Sequence, residues 1–156
     1  MKQRRLVVVL ENIRSKFNVG AIFRTSEAFN FEAVVLTGFT PQLPDKEITK
    51  TAIGAEKVVP FQYWNYAADA LEFYKKEGFS IVSAEHAKNS FSFTELNEKI
   101  EGDVCLVLGN EITGVSDETL KYSDYITEIP MLGTVKESLN VEVAFGIIAA
   151  QLRFGL

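Results

Sequence analysis

Apolar residues along the chain fall into short runs that alternate with segments of helical spacing. Six runs rich in β-branched or aliphatic residues predict strands at Leu6–Asn12, Ala33–Thr37, Glu56–Pro60, Phe79–Ala84, Val104–Leu108 and Tyr125–Ile129. The spacing between them predicts helices over Asn18–Asn30, Glu47–Ile53, Tyr66–Glu77, Asp117–Tyr122 and Asn140–Leu152. Strands that alternate with helices favour an α/β fold, with a mainly parallel sheet covered by helices on both faces.

Composition adds bounds to this pattern. The 156 residues, 47% of them hydrophobic, are typical of one globular domain spanning residues 1–156, and we see no repeat or linker that divides it. No apolar run approaches the roughly 20 residues of a membrane helix, so we expect no membrane partner. The N-terminal residues lack a small-residue cleavage site, and the single cysteine, Cys105, lies in an apolar run. We therefore expect a cytoplasmic protein with a buried, reduced thiol.

The distribution of charge is more informative than the net charge of −5. Residues 1–30 contain six basic and two acidic side chains, whereas the other 126 residues contain ten basic and nineteen acidic ones. A local basic patch can attract phosphate groups while the rest of the surface stays acidic. Ordinary charge asymmetry is the alternative, and an acidic protein should bind long RNA weakly at physiological salt.

Three short segments combine glycine with polar side chains where apolar runs stop. They are Asn18-Val-Gly-Ala-Ile-Phe-Arg24, Gly109-Asn-Glu111 and Ser138-Leu-Asn140, the last of which follows Ile129-Pro-Met-Leu-Gly133. Neither G-x-G-x-x-G nor a phosphate-binding P-loop motif is present, which disagrees with an ordinary dinucleotide-binding sheet. The glycines instead lie late in the chain, and open α/β sheets bind ligands beyond the carboxyl ends of their strands.

Each segment also has a purely structural interpretation. Asn18 could cap a helix, and Arg24 could be an ordinary exposed arginine. Gly109-Asn-Glu111 could form a simple turn between a strand and a helix. Either Ser138 or Asn140 could be the N-cap of the last helix. One His and one Cys provide no set of metal ligands, so we expect no metal site.

Taken together and in this order, the three segments resemble the motifs of the TrmH/SpoU branch of the SPOUT methyltransferases, from about Leu6 to Leu152. The resemblance implies a C-terminal deep trefoil knot and transfer of a methyl group from S-adenosylmethionine to a ribose 2′-hydroxyl of RNA. It makes tRNA the first expected substrate and rRNA the next. It also implies a homodimer that uses the C-terminal helix, whose apolar residues from Val141 to Ile148 cannot all face one core. RNA choice would then depend on the basic N-terminal residues, a second subunit or a partner protein.

The resemblance also assigns expected roles to individual residues. Arg24 is expected to be catalytic, either as a base or as an electrostatic stabiliser of the alkoxide. The expected lining of the S-adenosylmethionine pocket is Gly109, Ile129 and Leu139, and the polar positions around it are Asn18, Glu111, Ser138 and Asn140.

The chain departs from the family pattern at three places. Asn30 replaces a usual glycine, Glu142 replaces a common serine, and the stretch from Gly133 to Ser138 is one residue longer. Two alternatives stay open. One is a protein of the same fold that binds the cofactor or RNA without catalysis, and the other is an α/β protein that binds another small ligand.

Overall fold

The structure, a computed structural model, describes residues 2–156 and contains one seven-stranded sheet. The strands are Leu6–Glu11 (β1), Ala33–Thr37 (β2), Phe61–Trp64 (β3), Ser80–Ala84 (β4), Phe91–Ser92 (β5), Val104–Leu108 (β6) and Tyr125–Glu128 (β7). The helices are Lys16–Ala28 (α1), Lys46–Ala52 (α2), Ala67–Lys76 (α3), Leu96–Lys99 (α4), Asp117–Tyr122 (α5) and Val141–Phe154 (α6). The order of the strands in the sheet is β3-β2-β1-β6-β4-β7-β5, and every pair of neighbouring strands is parallel. The predicted mainly parallel α/β fold is confirmed.

Helices cover both faces of the sheet, because successive side chains of a strand point to opposite faces. On β1, Val8 and Leu10 pack on the face covered by α1, α2, α4 and α6, whereas Val7 and Val9 pack on the face covered by α3 and α5. All six residues of β1 are buried, as expected for a central strand of a parallel sheet. Cys105 on β6 is completely buried, as predicted, and burial raises the pKa of its thiol.

The predicted strand over Glu56–Pro60 is wrong. The chain forms a 3₁₀ turn at Ala55–Lys57 instead, because Ile53 and Gly54 have positive φ angles of 51° and 90° and turn it sharply after α2. The edge strand begins one residue after Pro60. The pattern also missed β5 and α4, since two and four residues are too few to show a period.

The ends of the helices refine the sequence prediction. Ser15, rather than Asn18, caps α1, because its hydroxyl accepts a hydrogen bond from the Asn18 backbone N–H at 3.1 Å. Asn140 caps α6 through the Glu142 N–H, so Ser138 is not the cap of that helix. Asn30 has a φ of 55°, so it adopts at the end of α1 the left-handed conformation that glycine or asparagine commonly takes there.

Candidate functional site

A cleft of about 700 Å³ opens at the carboxyl ends of β4, β6 and β7. It is bounded by the turn after β6, by the segment that follows β7 and by the first half of α6. The residues that line it include Gly109, Glu111, Ile129, Ser138, Leu139 and Asn140. Six of the eight predicted site residues therefore share one cleft, although they come from segments far apart in the chain.

A chain of hydrogen bonds joins the three sequence segments. The Asn18 side-chain amide donates to the Glu111 carboxylate at 3.2 Å, and the Asn140 side-chain amide donates to Oδ1 of the Asn18 side chain at 3.4 Å. Asn18 is buried in the first turn of α1 and does not line the cleft itself. Its side chain holds two segments that do line the cleft in a fixed relation to each other.

Glu111 is held at the N-terminal end of α1. Its two carboxylate oxygens accept hydrogen bonds from the backbone N–H groups of Arg14 and Ser15, at 2.8 and 2.9 Å. Partial burial opposes ionisation of Glu111, but these N–H donors and the Asn18 amide outweigh it and lower the pKa of the carboxyl group. Glu111 is consequently an anion at neutral pH, placed where the helix dipole favours negative charge.

Gly109 allows the turn after β6 to fold back tightly. A Cβ at this position would overlap the backbone of Gly114 and Val115, so no other residue fits without moving the turn. Gly114 has a φ of 72° and exchanges two backbone hydrogen bonds with Asn110. The Asn110 side chain completes the turn by accepting from two N–H groups within it. The turn is therefore compact, and any side chain at position 109 would have to distort it.

Arg24 is exposed on α1 and does not line the cleft. Its guanidinium has no hydrogen bond or ion pair with any of the described residues 2–156. The next residue, Thr25, donates a hydrogen bond of 2.8 Å to Glu142, which lies in the first turn of α6. The Glu142 carboxylate is thus bound to α1, and Glu142 lies outside the cleft lining.

The residues of the cleft that sequence reasoning missed include Glu85, His86 and Glu128. Glu85 accepts a hydrogen bond from the Val115 N–H at 2.9 Å and so supports the Gly109 turn. Glu128 pairs with His86 Nδ1 at 3.1 Å, and hydrogen bonds from Ser90 and His86 lower the pKa of its carboxyl group. The position of these residues at the carboxyl ends of β4 and β7 was the signal that could have found them.

The basic residues of the N-terminal segment do not form one patch. Arg4 and Arg5 precede β1. They therefore lie at the amino-terminal ends of the parallel strands, whereas the cleft lies at the carboxyl ends. The Arg5 guanidinium pairs with Glu32 at 2.6 Å, and Lys16 pairs with Asp45 at 2.8 Å. Arg4 donates to the Asn97 side chain and the Ile100 carbonyl oxygen. The charge count therefore grouped basic residues that lie at opposite ends of β1, two of which are paired with carboxylates.

Among the described residues 2–156, no group of three or more side chains could hold a metal ion. The helices found in that part of the chain are too short or too polar to cross a membrane.

Residues 5–150 match the SpoU rRNA Methylase family, which covers almost the whole chain. The chain belongs to this family. It is 33% identical over 148 residues to the 23S rRNA (guanosine-2′-O-)-methyltransferase RlmB of Coxiella burnetii, covering 91% of this chain but only 55% of that protein. It is also 33% identical over 150 residues to the tRNA (guanosine(18)-2′-O)-methyltransferase of Thermus thermophilus, covering 94% of this chain and 73% of that protein.

Solved structures of the family have the same fold. The AdoMet-bound rRNA methyltransferase from Sinorhizobium meliloti superposes with a TM-score of 0.89 at 25% identity, covering 99% of this chain and 58% of that chain. The TrmH/SpoU tRNA modifying enzyme of A. aeolicus superposes with a TM-score of 0.84 at 30% identity, covering 97% of this chain and 75% of that chain. The predicted resemblance is therefore confirmed at the level of family and fold, while this chain spans little more than half of several relatives.

Proposed function

We propose that this protein is an S-adenosylmethionine-dependent RNA methyltransferase that modifies a ribose 2′-hydroxyl. The observation that carries the proposal is that two of the three sequence segments line one cleft and that Asn18, of the third segment, joins them through Glu111 and Asn140. Family membership supports it, and so do the printed activities of relatives that methylate guanosine 2′-hydroxyls in 23S rRNA and tRNA. tRNA is the substrate we expect first and rRNA next, in the cytoplasm.

The cleft fits S-adenosylmethionine. Its apolar lining includes Leu108, Ile129 and Leu139, which suit an uncharged adenine, and Gly109 keeps the turn beside them compact. Bound there, the cofactor supplies an electrophilic methyl group on a sulfonium. The protein would then have to align the ribose hydroxyl with that methyl group and favour loss of its proton.

We assign to Arg24 the task of favouring loss of the proton from the ribose hydroxyl. An arginine is almost always charged, so it is a poor base, but its planar fork can stabilise a developing alkoxide and hold an adjacent phosphate. Ser138, Asn140 and Glu111 would position the substrate and the loops around it. Ionised Glu111 and the amide of Asn18 keep these loops in place before any ligand binds.

We further infer a homodimer in which Arg24 acts in the cleft of the partner subunit. Two observations support this. Arg24 lies outside the cleft of its own chain, and α6 leaves Val143 46% exposed while Ile147 is only half-buried. An apolar helix face of this kind is typical of a subunit interface. The C-terminal deep trefoil knot is also a proposal, supported by the resemblance of the three segments to the family motifs.

Two measurements test the proposal. Calorimetry should show one S-adenosylmethionine site per subunit, and binding should raise the melting temperature of the protein. Incubation with labelled cofactor and bulk tRNA or rRNA should then transfer label to one RNA class. Absence of binding at millimolar cofactor would exclude the methyltransferase. Binding without transfer to either RNA class would instead favour the alternative, a non-catalytic protein of this fold. Mapping of methylated nucleotides in cells with and without the protein would identify the target.

A further inference from the structure

Two glutamates from neighbouring strands reach the turn that borders the cleft. The Gly109 turn comprises residues 109–116 and connects β6 to α5. Glu11 is the last residue of β1, and Glu85 directly follows β4. Because β1 and β4 flank β6 in the sheet, the two side chains approach the turn from both sides.

The two carboxylates accept consecutive backbone N–H groups of the turn. Glu85 accepts a hydrogen bond from the Val115 N–H at 2.9 Å, and Glu11 accepts one from the Ser116 N–H at 2.7 Å. The hydroxyls of Ser116 and Thr119 also donate to Glu11. Glu11 is buried, so its charge depends on these donors for stabilisation. The second half of the turn is therefore fixed by side chains of the sheet.

Glu85 holds the peptide group that contacts Gly109. A Cβ on Gly109 would overlap the peptide between Gly114 and Val115, so this peptide lies directly against Gly109. The N–H of the same peptide is the one that donates to Glu85. A Cβ on Gly114 would in turn overlap the Glu85 carboxylate. Any shift of Glu85 would thus be transmitted to Gly109, which lines the cleft.

The hydrogen bonds of the two glutamates go to the backbone rather than to basic side chains. Among residues 2–156, neither Glu11 nor Glu85 forms an ion pair. The second oxygen of Glu85 accepts the His86 N–H at 2.9 Å. Ionised carboxylates accept stronger hydrogen bonds than neutral groups do, so they suit a turn that must keep one shape.

We propose that Glu11 and Glu85 are positioning residues for S-adenosylmethionine, because they hold the Gly109 turn in the shape that receives the cofactor. This inference rests on the proposed function. A site that is formed before its ligand arrives binds that ligand more tightly, since less ordering is left to the binding step. Removal of either carboxylate should therefore weaken cofactor binding and leave the chemical step unchanged.

Glu85→Ala tests this role by calorimetry and steady-state kinetics. We expect about tenfold weaker S-adenosylmethionine binding and a raised KM for the cofactor, with kcat at saturating cofactor and RNA close to wild type. Glu85→Gln should recover part of the affinity, because its amide oxygen still accepts the Val115 N–H. Glu32→Ala is the matched control. Glu32 precedes β2 and pairs with Arg5 at the opposite end of the strands from the cleft.

Amide hydrogen exchange, measured by NMR, follows the turn itself. The Val115 N–H should exchange faster in Glu85→Ala, and the Ser116 N–H should exchange faster in Glu11→Gln, because each loses its acceptor. Addition of S-adenosylmethionine to the wild type should slow both. Glu85 is only half-buried, so its variants decide the proposal even if Glu11→Gln does not fold.

The outcomes separate the positioning role from the proposed function. Wild-type cofactor affinity and unchanged Val115 exchange in Glu85→Ala would overturn the positioning role and leave the methyltransferase standing. An equal loss of affinity in Glu32→Ala would overturn it too, because the effect would then be general. A lower kcat with an unchanged KM in Glu85→Ala would place Glu85 in the chemical step instead. Absence of cofactor binding to the wild type would contradict the proposed function, and the positioning role with it.

Discussion

The side-chain amide of Asn18 lies 3.2 Å from the Glu111 carboxylate, although 93 residues separate them in the chain. Glu111 also accepts the backbone N–H groups of Arg14 and Ser15, so one carboxylate connects the start of α1 to the turn after β6. This contact makes the shape of the cleft depend on the ionisation of one side chain.

Stability should therefore respond to pH through Glu111. Its folded-state pKa is lowered below the ordinary 4.5, so its ionised form stabilises the fold at neutral pH. That contribution is complete above the unfolded-state pKa and is lost as the pH falls through the folded-state value. Urea unfolding of wild type and Glu111→Gln should give a free-energy difference at pH 7 that shrinks below about pH 4. A difference that stays constant with pH would show that the charge of Glu111 contributes nothing.

Gly109→Ala should remove cofactor binding. The added methyl group would overlap the backbone of Gly114 and Val115, and the turn would have to move into the cleft or away from it. We expect at least a tenfold loss of S-adenosylmethionine affinity by calorimetry. Gly133→Ala is the matched control, because a Cβ there meets no atom within 4 Å. Equal losses in the two variants would contradict the role given to Gly109.

Arg24→Ala should lower methyl transfer about a hundredfold or more with nearly unchanged cofactor affinity, because a preorganised donor is lost. Arg24→Lys should fail as well, since a point charge cannot replace the planar fork. The exposed position of Arg24 predicts no change in melting temperature for either variant. Single-turnover kinetics at saturating RNA and cofactor measure the chemical step.

Mixing the two inactive proteins tests whether Arg24 acts on the partner subunit. A dimer of Arg24→Ala with Gly109→Ala contains one cleft with intact Gly109 that receives Arg24 from its partner. After exchange of subunits, the mixture should recover part of the wild-type activity. No recovery, with exchange shown by mass, would place Arg24 in the cleft of its own chain or outside the reaction.

Arg4→Ala should destabilise the protein without a specific effect on RNA. The Arg4 guanidinium donates to Asn97 and to the Ile100 carbonyl oxygen. Arg4 lies at the amino-terminal end of β1, at the opposite end of the strands from the cleft. Loss of hydrogen bonds from a charged donor costs about 1.5–3 kcal/mol. Arg14→Ala should show the opposite result, with weaker RNA binding, a flatter salt dependence and normal stability. Weaker RNA binding by fully folded Arg4→Ala would instead support the hypothesis that the N-terminal basic residues form an RNA-binding patch.

The sequence predicted the parallel sheet because the three fully buried strands, β1, β2 and β6, are nearly continuous apolar runs, and the longer helices show clear periods. It predicted the cleft because Gly109, Ile129 and Asn140 all follow strand ends or begin a helix. It did not single out Glu85 or Glu128, because no motif marks them; the ends of β4 and β7, where they lie, become neighbours only in the sheet order. It also misjudged Arg4 and Arg5, because residues close in sequence to Arg14 lie at the other end of β1.

The position of the transferred methyl group tests the central claim most directly. RNA methylated with ¹⁴C-labelled S-adenosylmethionine should be hydrolysed completely in alkali, and the label should then be located. A 2′-O-methyl group blocks attack on the neighbouring phosphate, so the account predicts that the label stays in alkali-resistant dinucleotides. Label found in single nucleotides would mean that a base was methylated, and it would contradict the ribose 2′-hydroxyl as the target of this protein.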